Sequence, residues 1–387
     1  MHSAYMQEWG MKGTGCIMLS KNKGADHEKE ILLHSVQPLL NWYQDHKRSL
    51  PWREDPVPYH VWISEIMLQQ TRVEAVKEYY RRFLNELPDV ASLAAVQEER
   101  LLKLWEGLGY YNRARNLKKA AVMIMEEYQG NMPDAYEELL KLPGIGAYTA
   151  GAIASIAFGA DVPAVDGNVL RVITRVTGDA SDISDENVRK RIAGELRKIL
   201  PKGQSGTFNQ ALMDLGAMIC VPNGQPKCGQ CPWKELCIAY QESLTDRIPY
   251  IPPKKQRTVE KKTVLVIRLK DGVLLHKRPD KGLLAGLYEL PSMKGHCKKK
   301  EVLDYVRELG FSPIYIEPLP SAKHIFTHKE WLMKAYLVRA DELSETKDIT
   351  KKDEGWHLAA PEEAERGYPI PSAFSAYEEY IRREERG

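Results

Sequence analysis

Apolar residues recur at helical spacing through most of residues 29–247. In segment 61–84 the repeat is carried by Ile63, Ile66, Met67, Val73, Val76, Tyr80 and Phe83, which predicts one long helical stretch. Segments 185–200 and 207–218 show the same spacing, and Pro88, Pro133, Pro143 and Pro201 punctuate the region as helix boundaries. Residues 248–262 are proline-rich and basic and read as an extended linker. Beyond them the pattern changes. Segments 263–269 and 272–276 predict a hairpin around Lys270-Asp271-Gly272, 299–309 a helix and 331–338 a further strand. The chain thus divides into an all-α region at 29–247 and an α+β region at 263–385, with no visible internal repeat. Residues 1–28 lack periodicity and are expected to be a disordered extension, or to reflect a misassigned start, given Met6, Met11 and Met18.

With 387 residues, 28% charged and 43% hydrophobic, the composition is that of a soluble globular chain of two or three domains. The longest apolar run, 150–157, is too short to span a membrane. The first thirty residues carry no charged start followed by a hydrophobic core, so a cytoplasmic location is expected. A net charge of +2 says little about partners, and nucleic-acid binding has to be argued from local features.

The densest local feature is segment 142–168. Pro143 fixes φ and ends the preceding helix, while Gly144 and Gly146 permit a tight turn with bare backbone. Amides in such a turn, backed by a helix starting near Ala147, form an anion site that suits DNA phosphate. The same pattern also serves as an ordinary helix–Gly–helix connection. Asp166 follows twenty residues after Gly146. Of six cysteines, four lie close together: Cys220, Cys228, Cys231 and Cys237, with gaps of seven, two and five residues. Such a run points to a metal site rather than a disulfide framework. Zinc and an iron–sulfur cluster both remain open, because only Cys228–Cys231 has the C-x₂-C spacing. Cys16 and Cys297 read as plain thiols.

Together the Pro-Gly-Ile-Gly turn, Asp166 and the terminal cysteine run resemble the helix–hairpin–helix DNA glycosylases of the endonuclease III superfamily. Within it the chain is similar to adenine DNA glycosylases of the MutY type, over about residues 30–385. The resemblance implies an all-α helix–hairpin–helix glycosylase domain whose 220–237 loop holds a [4Fe–4S] cluster on Cys220, Cys228, Cys231 and Cys237. The family usually has six residues between the first two cysteines; here 221–227 makes seven. In the superfamily's lyases a lysine stands two residues after the second hairpin glycine, and here that position is Tyr148, which cannot form an imine. Glycosidic hydrolysis generally uses two carboxyl groups. The segment Ser64-Glu-Ile-Met-Leu-Gln-Gln-Thr71 matches the family pattern and carries over Glu65 as the residue that protonates adenine N7. Apolar neighbours Ile63, Ile66 and Met67 would help raise its pKa, although a helical glutamate is ordinarily a solvated surface residue. Asp166 then stabilises the sugar cation, with Tyr148 and Asn168 in support. Gln69, Gln70 and Thr71 resemble the wedge that enters the base stack, and Tyr110 the aromatic that stacks beside the lesion. Trp52, Arg53, Leu68 and, more weakly, Gln210 resemble adenine-pocket residues.

The second domain resembles the Nudix-like lesion-recognition domain of the same family, with 282–291 matching its first strand and turn. The helix at 302–310 has a lone Glu308 where a Nudix hydrolase carries paired glutamates for magnesium, so recognition rather than diphosphate hydrolysis is expected. Phe326-Thr327-His328 resembles the family's Phe-Ser-His loop, with threonine keeping the hydroxyl that would face the oxidised base. On the residues alone His324 and His328 are exposed polar groups beside a strand. The function implied is removal of adenine opposite 8-oxoguanine or guanine in double-stranded DNA, by a monomer without lyase chemistry. A related glycosylase with another target base, and a non-catalytic DNA-binding protein, are the alternatives.

Overall fold

The computed structural model describes residues 25–253, 256–270, 272–342 and 355–382. The expectations for residues 1–24, Cys16 among them, lie outside the described residues, and α1 already begins at Ala25. In chain order come helices α1 (Ala25–His46), α2 (Pro51–Glu54), α3 (Pro58–Leu68), α4 (Val73–Glu86), α5 (Val90–Ala95), α6 (Glu98–Leu104) and α7 (Asn112–Glu127). They continue with α8 (Tyr136–Leu139), α9 (Ala147–Ala157), α10 (Gly167–Thr177), α11 (Glu186–Ile199), α12 (Ser205–Met218) and α13 (Ile238–Gln241). Strands β1 (Thr258–Leu269), β2 (Gly272–Lys277), β3 (Tyr288–Glu289) and β4 (Ser292–Lys294) follow. Helix α14 (Lys299–Glu308) precedes β5 (Phe311–Ile325), β6 (Lys329–Glu342) and β7 (Trp356–Ala359).

Two sequence expectations need correction. The apolar repeat over 61–84 is not one helix: α3 stops at Leu68 and α4 starts at Val73, with Gln70 at φ +59 between them. No glycine or proline marks the break. Its cause is remote, since the Arg113 guanidinium takes the carbonyls of Ile66, Met67 and Gln69 that would otherwise continue the ladder. The proline-rich linker also ends early. Residues from Thr258 onward pair in parallel with β6, Thr258 opposite Lys329, although exposure leaves their side chains without a clear hydrophobic alternation.

The described residues form two compact units, one of those up to 47 with 165–251, the other of 48–164 with those from 252 onward. This division cuts across the expected boundary at 247–263, because the sheet region shares a core with helices of the 48–164 segment. In the first unit, α1, α10, α11 and α12 close on Ile31, Leu39, Val169, Ile173, Phe208 and Leu212, all 0–3% exposed. Trp233 joins them and donates its indole N–H to the Ser35 carbonyl at 2.8 Å.

In the second unit, α3 packs against α9. Gly151 of α9 lets the chain that follows the helix pass close to it: a Cβ there would lie 2.3 Å from the Pro163 carbonyl oxygen. The strands form one sheet of order β3-β2-β1-β6-β5, with β1 and β6 parallel and the other neighbours in that order antiparallel. Alternation along β1 sends Val264 and Val266 to one face and Leu265 and Ile267 to the other. Phe374, Tyr377 and Ile381 cover the first face; Val302 and Val306 of α14 cover the second. Of the strand and turn expected at 282–291, residues 283–286 make the turn, with Leu284 at φ +57, and Tyr288–Glu289 pairs as strand. Leu287 leaves the sheet to join the helical core of Trp62, Phe83 and Trp105. Truncating such a side chain costs about 2–5 kcal/mol.

Candidate active site and nucleic-acid interface

Glu65 sits mid-helix in α3 and is 6% exposed, flanked by buried Trp62, Ile63, Ile66 and Met67. Tyr148, at the first turn of α9, donates its hydroxyl to Glu65 Oε2 at 2.5 Å. The packing of α9 on α3 makes this contact from residues far apart in sequence. A phenol donating to one carboxyl oxygen leaves that oxygen an acceptor and places any proton on the other. The turn leading into α9 contains Gly144 at φ +80, where a Cβ would also meet Asn116 at 2.7 Å. Gly146 differs. Its backbone is extended, a Cβ there would meet nothing within 4 Å, and it caps α9 without a side-chain bond. Both glycines are exposed, so the amides at this helix start are open to an anion.

Asp166, in the other unit, is the N-cap of α10. Its Oδ1 accepts from the Val169 amide at 2.7 Å and its Oδ2 from Asn168 Nδ2 at 2.7 Å. Asn168 Oδ1 accepts in turn from Arg171 Nη2 at 2.9 Å, and Arg171 also donates to the carbonyls of Gly216 and Cys220 at 2.9 and 2.8 Å. Gly216 is required by this arrangement, since a Cβ would lie 2.7 Å from that of Asn168. Burial raises the Asp166 carboxyl above its ordinary range, against the pull of the Val169 amide, Asn168 and Arg171.

The four clustered cysteines are half-buried thiols without a disulfide. Arg175 Nη1 lies 3.3 Å from Cys220 Sγ, and Cys237 Sγ lies 3.4 Å from the Arg175 carbonyl. Burial pushes Cys231 up to about 12 and Cys237 up to about 11, with the neighbouring sulfurs adding to it, so the four share one electrostatic environment. The seven-residue 221–227 loop closes on itself through a Lys227 amide to Ile219 carbonyl bond of 3.0 Å. Among the described residues, no three His, Cys, Asp or Glu side chains form a group that could hold a metal ion. Four cysteines close enough to feel one another's charge are the kind of donor set that a cluster with one thiolate per iron takes.

The remaining predicted residues divide. Trp52 is 6% exposed and packs edge-on against Tyr80 at 5.5 Å, inside the helical core. Arg53 donates to the Arg48 carbonyl at 3.2 Å, and Leu68 is half-buried at the end of α3. Gln210 belongs to the first unit, where it accepts from the Tyr43 hydroxyl at 3.2 Å. Gln70 and Tyr110 are exposed, whereas Gln69 and Thr71 are partly covered. Phe326, Thr327 and His328 form the tip of the β5–β6 hairpin. Phe326 turns inward onto Trp331 at 4.8 Å, while Thr327 and His328 stay exposed. Thr327 Oγ1 meets the Tyr110 hydroxyl at 2.9 Å, which joins the hairpin tip to the turn before α7.

Sequence reasoning missed Arg113, Arg171 and Arg175. A signal for the last two existed: they are spaced i, i+4 on a helix whose residues 169–177 are all buried, where arginine is unusual.

Residues 63–198 match the HhH-GPD superfamily of base excision DNA repair proteins, and 263–379 match the NUDIX domain. The chain is 34% identical to the adenine DNA glycosylase of Buchnera aphidicola subsp. Acyrthosiphon pisum, over 87% of this chain and 94% of the relative. It is 36% identical to that of Mus musculus, over 79% of this chain and 70% of the relative. Among solved structures it is similar to a thermostable thymine-DNA glycosylase, with a TM-score of 0.50 and 29% identity over 56% of this chain and 98% of that one.

Proposed function

The chain belongs to the adenine DNA glycosylases of base-excision repair, and from this we propose that its substrate is duplex DNA with adenine opposite 8-oxoguanine or guanine. The observation that carries the proposed chemistry is the Tyr148 hydroxyl bonded to Glu65. It supports a reading in which a phenol stands in place of a lyase's amine and donates to the proposed acid. Glu65 protonates adenine N7, the C1′–N9 bond breaks, and its electron pair leaves with the base. The Asp166 carboxylate stabilises the oxocarbenium ion, with Asn168 orienting it, until water adds to C1′ and its proton returns the Glu65 carboxylate to the acid form. With tyrosine at 148, no imine forms and the reaction ends at an abasic site.

In the same reading Gln69, Gln70 and Thr71 wedge the stack open, Tyr110 stacks beside the lesion, and Gly144 and Gly146 hold a phosphate. Leu68, Arg53 and Gln210 contact the extruded adenine, and Trp52 backs that pocket from the core. Thr327, with Phe326 as anchor and His328 beside it, reads the oxidised base. Cys220, Cys228, Cys231 and Cys237 would hold a [4Fe–4S] cluster. Such a cluster would brace the 220–237 loop and would supply one-electron chemistry, whereas the hydrolysis itself is redox-neutral. The enzyme acts as a monomer on cytoplasmic, nucleoid DNA. Among the described residues no helix is long and apolar enough to cross a membrane.

Single-turnover excision from A:8-oxoguanine, A:G and T:G duplexes tests the reading. The expected order is fastest on the first, slower on the second and no cleavage of the third. Inactivity on both adenine duplexes overturns it, and cleavage of T:G moves the target to thymine.

A further inference from the structure

Arg113, on α7, directs five hydrogen bonds at carbonyl oxygens. Its Nη1 reaches those of Ile66, Met67 and Gln69 at 2.7, 3.2 and 2.7 Å, and its Nη2 those of Leu108 and Gly109 at 2.8 and 3.1 Å. The rings of Trp105 and Tyr110 lie 5.3 and 5.7 Å from the guanidinium. Nε is buried with no hydrogen-bond partner. Such a setting is costly for a cation, and burial lowers its pKa to about 10. The side chain spans two segments: the end of α3 and the turn that starts α7. Each segment places a bulky residue in the left-handed region directly after one of Arg113's acceptors. Gln70, at φ +59, follows Gln69, and Tyr110, at φ +47, follows Gly109. Tyr110 then meets Thr327 through its hydroxyl.

We propose that Arg113 is a positioning residue that locks the Gln69–Thr71 loop and Tyr110 into one rigid wedge, so that both enter the duplex as a single body. The inference rests on the reading of these residues as the elements that open DNA. A wedge built on two independent loops would have to order both at every extrusion. A guanidinium that crosslinks them has already done so in the DNA-free protein. Lysine cannot substitute, because a single ammonium lacks the planar fork that serves both segments.

The test compares Arg113→Lys with the parent enzyme on two duplexes carrying A:8-oxoguanine. One is fully paired, and in the other flanking mismatches already unstack the adenine. On the paired duplex the single-turnover rate is expected to fall on the order of 100-fold. On the pre-opened duplex it should stay within about threefold of the parent, because extrusion costs little there. An equal loss on both, or none on either, overturns the proposal. A second measure leaves Arg113 intact and uses the exposed residues Gln70→Ala and Tyr110→Ala, singly and together. Losses that fail to add in the double variant mark one body, and losses that add overturn the coupling alone. No loss in either single variant overturns the wedge reading, and the coupling with it.

Discussion

Glu65 and Asp166 carry the same functional group in opposed settings. Glu65 lies inside a helix with buried apolar neighbours, and a phenol donates to it. Asp166 stands at a helix N-terminus, where a backbone amide and an asparagine hold its two oxygens and Arg171 backs the asparagine. A carboxyl with an apolar surround and a neutral partner suits proton delivery. One at a helix N-terminus with converging donors is held in a fixed orientation for a developing cation, although burial still raises its pKa. In this contrast the two proposed roles follow from what surrounds each carboxyl rather than from aspartate against glutamate.

The largest effect is expected from Asp166→Asn. Asparagine can still cap α10 through its carbonyl oxygen, but it brings no charge to the developing cation. Single-turnover excision should fall by about 1,000-fold or more, with duplex binding retained. Stability should move the other way. The folded protein raises the Asp166 pKa, so the proton is bound more tightly folded than unfolded. The stabilising contribution of the protonated form is therefore full below the unfolded value and lost as pH rises through the folded one. At neutral pH the ionised carboxylate costs desolvation that asparagine avoids, and this outweighs the one acceptor that asparagine loses toward Asn168 Nδ2. Thermal unfolding should show Asp166→Asn with the higher Tm at pH 7 and a shrinking gap in acid. A lower Tm at pH 7 would mean that the donors around the carboxylate outweigh its desolvation.

Glu65→Gln keeps the shape and removes the transferable proton, for an expected loss of about 100-fold or more in excision. Tyr148→Phe removes one hydrogen bond to that carboxyl and should cost about tenfold. If Tyr148 acts only through Glu65, the double variant will be no slower than Glu65→Gln alone. Added losses would give the tyrosine a separate contact with the substrate and blur the contrast between the two carboxyl settings.

Much of this contrast was legible along the chain, and the reasons differ by residue. Glu65, Tyr148, Asp166 and the four cysteines lie in short motifs whose spacing survives in one dimension. Arg113 does not, because it acts on backbone carbonyl oxygens, which every residue carries and no sequence pattern marks. The break after Leu68 was hidden for the same reason, since Arg113 ends α3 without a glycine or proline to signal it. Gly144 and Gly146 looked equivalent, yet only Gly144 needs its positive φ and its missing Cβ. The grouping of the sheet with residues 48–164 was out of reach as well. It depends on Leu287 entering the helical core and on contacts such as Arg115 Nη2 to the Ala285 carbonyl at 2.7 Å.

The smallest expected effect lies farthest from both carboxyl groups in the proposed division of labour. Thr327 pairs with Tyr110 at the exposed hairpin tip, and its hydroxyl is the proposed reader of the oxidised base. Thr327→Val keeps the branched shape and deletes the hydroxyl. The ratio of excision rates on A:8-oxoguanine and A:G should then shrink about tenfold, the scale of one lost hydrogen bond. The A:G rate should hold, because neither carboxyl has been touched. Thr327→Ser should preserve the ratio within about twofold, as the hydroxyl remains and only a methyl group goes. If Thr327→Val instead slows both duplexes equally, the hairpin tip is working through Tyr110 on the opening of DNA, and the separation of lesion reading from adenine chemistry fails at that contact.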